Sequence, residues 1–278
     1  MTKFLKSRKQ GEREGSVPEQ AGRRRDGMEE RLVSLLAVSS FAAEQYRVLR
    51  HIVEQTHKDS GLRMLGVTSP AVGDGKTTTA INLAGALAQS AEARVLLVDA
   101  DIRRGSVRGH LGWGDAGSLG LVDTILAPNL RLADVVRRCP PFSFSVLLAG
   151  RGTTAPYEVL KSPRVGELFE EARQQYDYVV IDTPPFLPVP DCRIIAKWTD
   201  GFLLIVAAHK TPRKLVEAAL DVMDPAKLIG LVFNGDDRPF SGYSGYYSAY
   251  GGSPNGHRTN WWRRVSALHL FRTGGTAG

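Results

Sequence analysis

A mostly parallel β-sheet with helices on both faces is the fold these 278 residues predict, flanked by flexible N- and C-terminal tails. Three observations carry that α/β expectation. Short runs that are apolar at every position, "VLLV" (95–98), "YVVI" (178–181) and "FLLIVAA" (202–208), alternate with segments of helical period. Strands apolar on both sides belong to sheets covered on both faces, which is the parallel arrangement. A glycine loop lies between one such strand and a helix, and two of the strands end in aspartate.

Residues 1–27 are polar, basic and glycine-containing, too poor in apolar side chains to offset the entropy of ordering, so a disordered arm is expected there. A helix is predicted through "FAAEQYRVLRHIVEQ" (41–55), where apolar positions recur with helical spacing. "RMLGVTS" (63–69) reads as a strand, "KTTTAINLAGALAQS" (76–90) as a helix and "ARVLLVDA" (93–100) as a strand. "SVLLAG" (145–150) is the next strand, followed by a helix at 162–175. Strands at 176–182, 201–208 and 228–234 complete the sheet, with helices near 191–199 and 212–222. Asp191, after Pro190, reads as a helix N-cap rather than a catalytic residue. Past Asn234 the composition turns to Gly, Ser, Tyr, Pro and Arg, and the core ends. The division is therefore an arm (1–27), one domain (28–237) and a tyrosine-rich tail (238–278).

Composition narrows the function classes. The content of 42% apolar and 23% charged residues is that of a globular protein, and no apolar run reaches the roughly 20 residues that span a bilayer. Cys139 and Cys192 are far apart without metal-like spacing, and no histidine pair has zinc-ligand spacing, so both thiols read as packing residues in a reducing, cytoplasmic compartment. A net charge of +7 suits an anionic partner, although the basic residues are scattered and charge alone does not choose one. Nucleic acid is the least expected. "NWWRRVSALHLF" (260–271) reads as an unstructured or partner-docked tail, with contact to an anionic membrane surface through Trp261, Val265 and Leu268 on one face as the alternative.

The chemistry starts at "GVTSPAVGDGKTTTAINLA": strand, glycine loop, then a helix opening at Lys76. Backbone N–H groups from Gly73, Asp74, Gly75, Lys76, Thr77 and Thr78 can converge on nucleotide phosphates, and the helix N-terminus adds about half a positive charge. Lys76 supplies a mobile cation and the Thr77 hydroxyl suits Mg²⁺. The strict phosphate-loop pattern fails at its first position, Pro70. "VLLVDADIRR" ends a strand with Asp99 and Asp101, and "VVIDTPP" ends another with Asp182. Ligands of parallel sheets bind beyond the carboxyl ends of strands, so these acids are expected to coordinate Mg²⁺ beside nucleotide phosphates, directly or through water.

On "SPAVGDGKTTTA", "VLLVDADIRR" and "VVIDTPP", the chain resembles the bacterial tyrosine kinases of the capsular and exopolysaccharide type, P-loop NTPases with a partition-ATPase-like fold. "EQYRVLR", "AGRGTTAPYEVLKSP" and "DGFLLIVAAHKT" extend the match over about residues 28–237, with Pro70 and Ala155 as departures. The resemblance implies ATP and Mg²⁺ as cofactors and catalytic roles for Lys76, Asp99, Asp101 and Asp182. It also implies phosphoacceptor tyrosines in the tail, which holds Tyr243, Tyr246, Tyr247 and Tyr250. Neighbours in a ring-like homo-oligomer would phosphorylate each other, with Glu44, Arg47 and Arg50 forming the assembly face. A separate membrane chain-length regulator would activate the kinase and recruit it to the inner face of the membrane. Asn234 resembles an adenine-contacting asparagine, with a turn-forming asparagine as the alternative. Two rivals stay open: a switch ATPase of the partition or division-site type, and a regulator that binds ATP without catalysis. The first normally carries a second lysine near Ala71 and has no tyrosine tail.

Overall fold

The computed structural model describes residues 24–25, 27–114, 117–235 and 270–271. Within them the chain runs α1 (Phe41–Ser60), β1 (Met64–Thr68), α2 (Lys76–Leu87), β2 (Val95–Asp99) and β3 (Phe144–Leu147). It continues α3 (Pro163–Gln175), β4 (Tyr178–Asp182), α4 (Asp191–Ile195), β5 (Gly201–Ala207), α5 (Arg213–Val222) and β6 (Leu228–Asn234). Short helices at Leu121–Leu126, Leu132–Val135 and Pro156–Lys161 fill the connections on either side of β3.

The six labelled strands are parallel and lie in the order β6-β5-β1-β4-β2-β3. Short antiparallel strands close the two edges, Leu270–Phe271 against β6 and Arg137–Arg138 against β3. Alternation of side chains along each strand splits the core into two layers. Leu65, Val67, Leu97, Val180, Leu203 and Ile205 face α1 and α2. Met64, Leu96, Val98, Val179 and Ile181 face α3 and the short helices. At the β5 end, Phe202 and Leu204 pack on Ala219 and Met223 beside α5. The sheet is tight enough that a β-carbon on Gly66 would stand 2.3 Å from the Phe202 ring.

Two helices hold the site in place. Ser40 caps α1 by accepting from the Ala43 N–H, and left-handed Gly61 (φ 72°) ends it. Buried Ala42, Ala43, Tyr46, Leu49 and Val53 form the stripe α1 turns toward the core. α2 lies between α1 and the sheet and is therefore buried on nearly every side. Its one buried amide, Asn82, accepts from the Ser34 N–H (2.8 Å) and donates to the carbonyls of Arg31 and Thr78 (both 2.9 Å). The segment before α1 is thereby fastened to the helix that opens at Lys76.

Several expectations change. α1 continues to Ser60 and α4 stops at Ile195, while the other element ends differ by one to a few residues. Arg24–Arg25 pairs antiparallel with Met28–Glu29. Leu270–Phe271 is extended, so the segment 260–271 does not end as a helix; Trp261, Val265 and Leu268 lie outside the described residues. Asp191 makes no cap: Pro190 holds the cap position, and the Asp191 carboxylate turns to Arg103 instead. Both cysteines are free and buried, as packing residues should be.

Candidate nucleotide and magnesium site

The loop between β1 and α2 folds around two left-handed glycines, Gly73 (φ 87°) and Gly75 (φ 91°). Pro70 is buried at the loop's start, ahead of both. The Asp74 carboxylate points inward, accepting from the Thr211 hydroxyl (2.7 Å) and the Ala71 N–H (3.2 Å). Its side chain thus ties the loop to the turn after β5, and its backbone is what it can offer a phosphate. Asn234, at the end of β6, donates from Nδ2 to the Asp74 carbonyl (3.0 Å). A β-carbon at Gly75 would lie 2.0 Å from that same nitrogen. The loop is held from two neighbouring strands before any ligand arrives.

The three acids meet at the same sheet edge as Lys76. β2 and β4 are neighbours, and their register sets Asp99 directly beside Asp182. Both are buried. Asp99 Oδ2 accepts from the Val107 N–H (3.1 Å), and Asp182 Oδ2 accepts from the Thr77 hydroxyl (2.7 Å). Thr77 Oγ1 is also 3.0 Å from Ser106 Oγ. Asp101 Oδ2 lies 3.2 Å from Lys76 Nζ, and its other oxygen accepts from the Arg104 N–H.

The remaining oxygens, Asp99 Oδ1 and Asp182 Oδ1, are buried without a hydrogen-bond partner. Burial, with the neighbouring Asp182 charge added, pushes the Asp99 carboxyl well above its ordinary range. Burial likewise raises Asp182 to about 6, against the opposing pull of Lys76. Orphaned carboxylate oxygens beside a threonine hydroxyl are what a hard divalent cation satisfies, so the residues fit magnesium. Among the described residues no three His, Cys, Asp or Glu side chains form a cage by themselves. Phosphate oxygens and water would therefore complete the coordination.

A cavity of about 540 Å³ opens over this edge. One side is the glycine loop and helix start, Gly73, Gly75, Lys76, Thr77 and Thr78; the other is an apolar wall of Pro184, Pro185, Pro188 and Val189. Asp101 lines the cavity, whereas Asp99 and Asp182 stand behind it. Arg31, Arg103, Ser106 and His110 also line it and were not anticipated. Arg103 carried the clearest signal, two residues past Asp101 in "DADIRR".

The remaining expected residues are dispersed. Glu44 and Arg47 pair with one another on α1, half exposed. Arg50 turns inward, donating to Glu54 (2.7 Å) and to the Ala86 carbonyl at the end of α2 (3.0 Å), so the three do not stand together as one free face. Tyr243, Tyr246, Tyr247 and Tyr250 lie outside the described residues.

A parallel sheet with a strand–glycine loop–helix unit and acids at the same edge defines a P-loop nucleotide-binding domain. Residues 63–210 match the family model described as an AAA domain. The chain is 32% identical over 222 residues to tyrosine-protein kinase YwqD of Bacillus subtilis, covering 79% of this chain and 92% of that one. It is 30% identical over 210 residues to tyrosine-protein kinase CpsD of Streptococcus agalactiae, covering 75% of this chain and 89% of that one. The kinase domain of Escherichia coli tyrosine kinase ETK superposes with a TM-score of 0.69 at 26% identity, over 78% of this chain and 84% of that one. The chain belongs to the bacterial tyrosine-protein kinases. Some relatives are much longer: it spans 27% of the EpsB protein of Ralstonia nicotianae and 30% of the wzc protein of Salmonella typhimurium. Among the described residues no helix is long and apolar enough to cross a membrane.

Proposed function

We propose that the protein transfers the γ-phosphoryl group of ATP to its own tail tyrosines, Tyr243, Tyr246, Tyr247 and Tyr250, between neighbouring subunits of a ring-like assembly. The observation that carries this reading is the convergence of Lys76, Thr77 and Asp101 on one cavity whose far wall is apolar, with Asp182 behind it bonded to Thr77. Gly73 through Thr78 and the α2 N-terminus cradle the phosphates, with Lys76 leaving Asp101 to meet them. Thr77, Asp99 and Asp182 would hold magnesium, which when bound neutralises charge on the phosphate oxygens. The proline wall receives the phenol ring. As the phenolic oxygen bonds to phosphorus and the bond to the β–γ bridging oxygen breaks, the phenolic proton passes to Asp101, the acid that faces the cavity.

Reach supports the acceptor assignment. The tyrosines lie 9 to 16 residues past Asn234, an extended span of about 30–55 Å. In this reading the kinase regulates polymerisation and export of an exopolysaccharide or capsule. A separate membrane chain-length regulator activates it and brings it to the inner face of the membrane, with Glu44 and Arg47 at the subunit contact.

The test is incubation of purified protein with Mg-ATP, followed by phosphotyrosine blotting. Signal in the wild type, lost in Lys76→Met and in the fourfold Tyr→Phe variant, is the expected result. ADP release without phosphotyrosine would favour a switch ATPase. Nucleotide binding without either product would leave a non-catalytic regulator.

A further inference from the structure

Asp191 is fully buried in the first turn of α4, yet the catalytic roles given above make no use of it. Among the described residues its hydrogen-bond partner is Arg103, 88 positions earlier, which donates Nε to Oδ2 (2.7 Å) and Nη2 to Oδ1 (3.0 Å). Arg103 follows the Asp99–Asp101 turn and lines the cavity beside Lys76. Its side chain is 36% exposed while that of Asp191 is 0% exposed. Removing a carboxylate completely from water is expensive, and a fork-to-fork grip fixes the plane of the guanidinium. A pair of this kind delivers an oriented cation to a site. Lys76, by contrast, is already engaged by Asp101.

We propose that Arg103 is a second cation of the phosphoryl-transfer site, its uncommitted N–H groups gripping γ-phosphoryl oxygens, with Asp191 as the positioning residue that aims it. The inference rests on the phosphoryl-transfer reading above. Arg103 touches substrate; Asp191 acts only through Arg103. A fixed donor at developing charge acts in the transition state more than in the ground state, so its loss appears mainly in kcat.

The experiment uses the full chain with Mg-ATP and reads phosphotyrosine and ADP release together. Arg103→Ala and Arg103→Lys should each lower kcat at least tenfold while KM for ATP moves less than threefold, because a lysine cannot take the bidentate grip. Asp191→Asn should fall by a similar factor, and Arg103→Ala/Asp191→Asn should be no slower than Arg103→Ala alone. Millimolar guanidinium should restore part of the turnover of Arg103→Ala but none in the double variant. Melting temperature should drop in Arg103→Ala, which strands a buried charge, and recover in the double variant without recovery of turnover. A merely structural pair would make turnover track melting temperature across all four variants, and that result overturns the proposal. So does wild-type turnover in folded Arg103→Ala or Asp191→Asn. Should the wild type release ADP without phosphotyrosine, the tyrosine-kinase reading fails and Arg103 is judged on ADP release alone. A wild type forming neither product overturns both.

Discussion

At the residue scale, the balance of the site rests on two carboxylates placed side by side in a dry environment. Burial raises Asp182 from 3.8 to about 6. Between those values the folded protein binds more protons than the unfolded chain, so stability falls as pH rises through that window and stays reduced above it. Asp182→Asn removes this cost, on the order of 1–3 kcal/mol. Without nucleotide, it should melt a few degrees above wild type at pH 7.5, converge with wild type below pH 4, and form no phosphotyrosine. Calorimetry at the two pH values checks this; a lower melting point at pH 7.5 would show that the acids carry no repulsive strain. Gly75 supplies a second residue-scale test. It is left-handed, and a β-carbon there meets Asn234 at 2.0 Å, so Gly75→Ala should weaken ATP binding by tenfold or more in titration calorimetry, about 1.4 kcal/mol.

At the element scale, α2 is both the helix that opens at Lys76 and the anchor for the segment preceding α1. Asn82 makes that connection through three hydrogen bonds. Asn82→Leu should cost about 2–4 kcal/mol by leaving the Ser34 N–H and the Arg31 carbonyl unpaired. The Ser34 amide should then exchange with solvent at least tenfold faster, measured against Val98 in the core as a control. The strands were legible because most of their residues are apolar, with β2 and β5 apolar almost throughout, the composition a strand buried on both faces requires. Their ends were less legible. α1 runs on through the polar "QTHKDS" because His57 accepts tertiary support, contacting the Leu62 carbonyl and the Tyr178 ring, and Gly61 closes the turn. The short helices around β3 are not legible in the sequence because a single turn or two lacks a readable period.

At the scale of the whole molecule, the outcome of the proposed tail phosphorylation is a matter of charge. Four phosphotyrosines add roughly −6 to −8, enough to cancel the formal +7 of the chain. Phosphates within a Debye length of about 8 Å also repel one another. The modified tail should leave a neighbour's site and loosen the assembly. Light scattering should therefore give a smaller particle for Mg-ATP-treated wild type than for Lys76→Met at equal concentration; equal masses would separate phosphorylation from assembly. Three-residue spacing grouped Arg50 with Glu44 and Arg47, whereas packing draws Arg50 to the end of α2.

Sequence alone determined that a phosphate loop follows the first strand, that aspartates close two others, and that a tyrosine cluster lies beyond the last. Those are local facts, written in neighbouring residues. Only the tertiary structure decided that Asp99 stands against Asp182, that Thr77 bridges to Asp182 across 105 positions, and that Arg103 rather than a helix end is the partner of Asp191. The reason is physical: strand order in a parallel sheet is set by which buried faces fit together, and that fit brings distant side chains into contact without leaving a periodic trace in the chain.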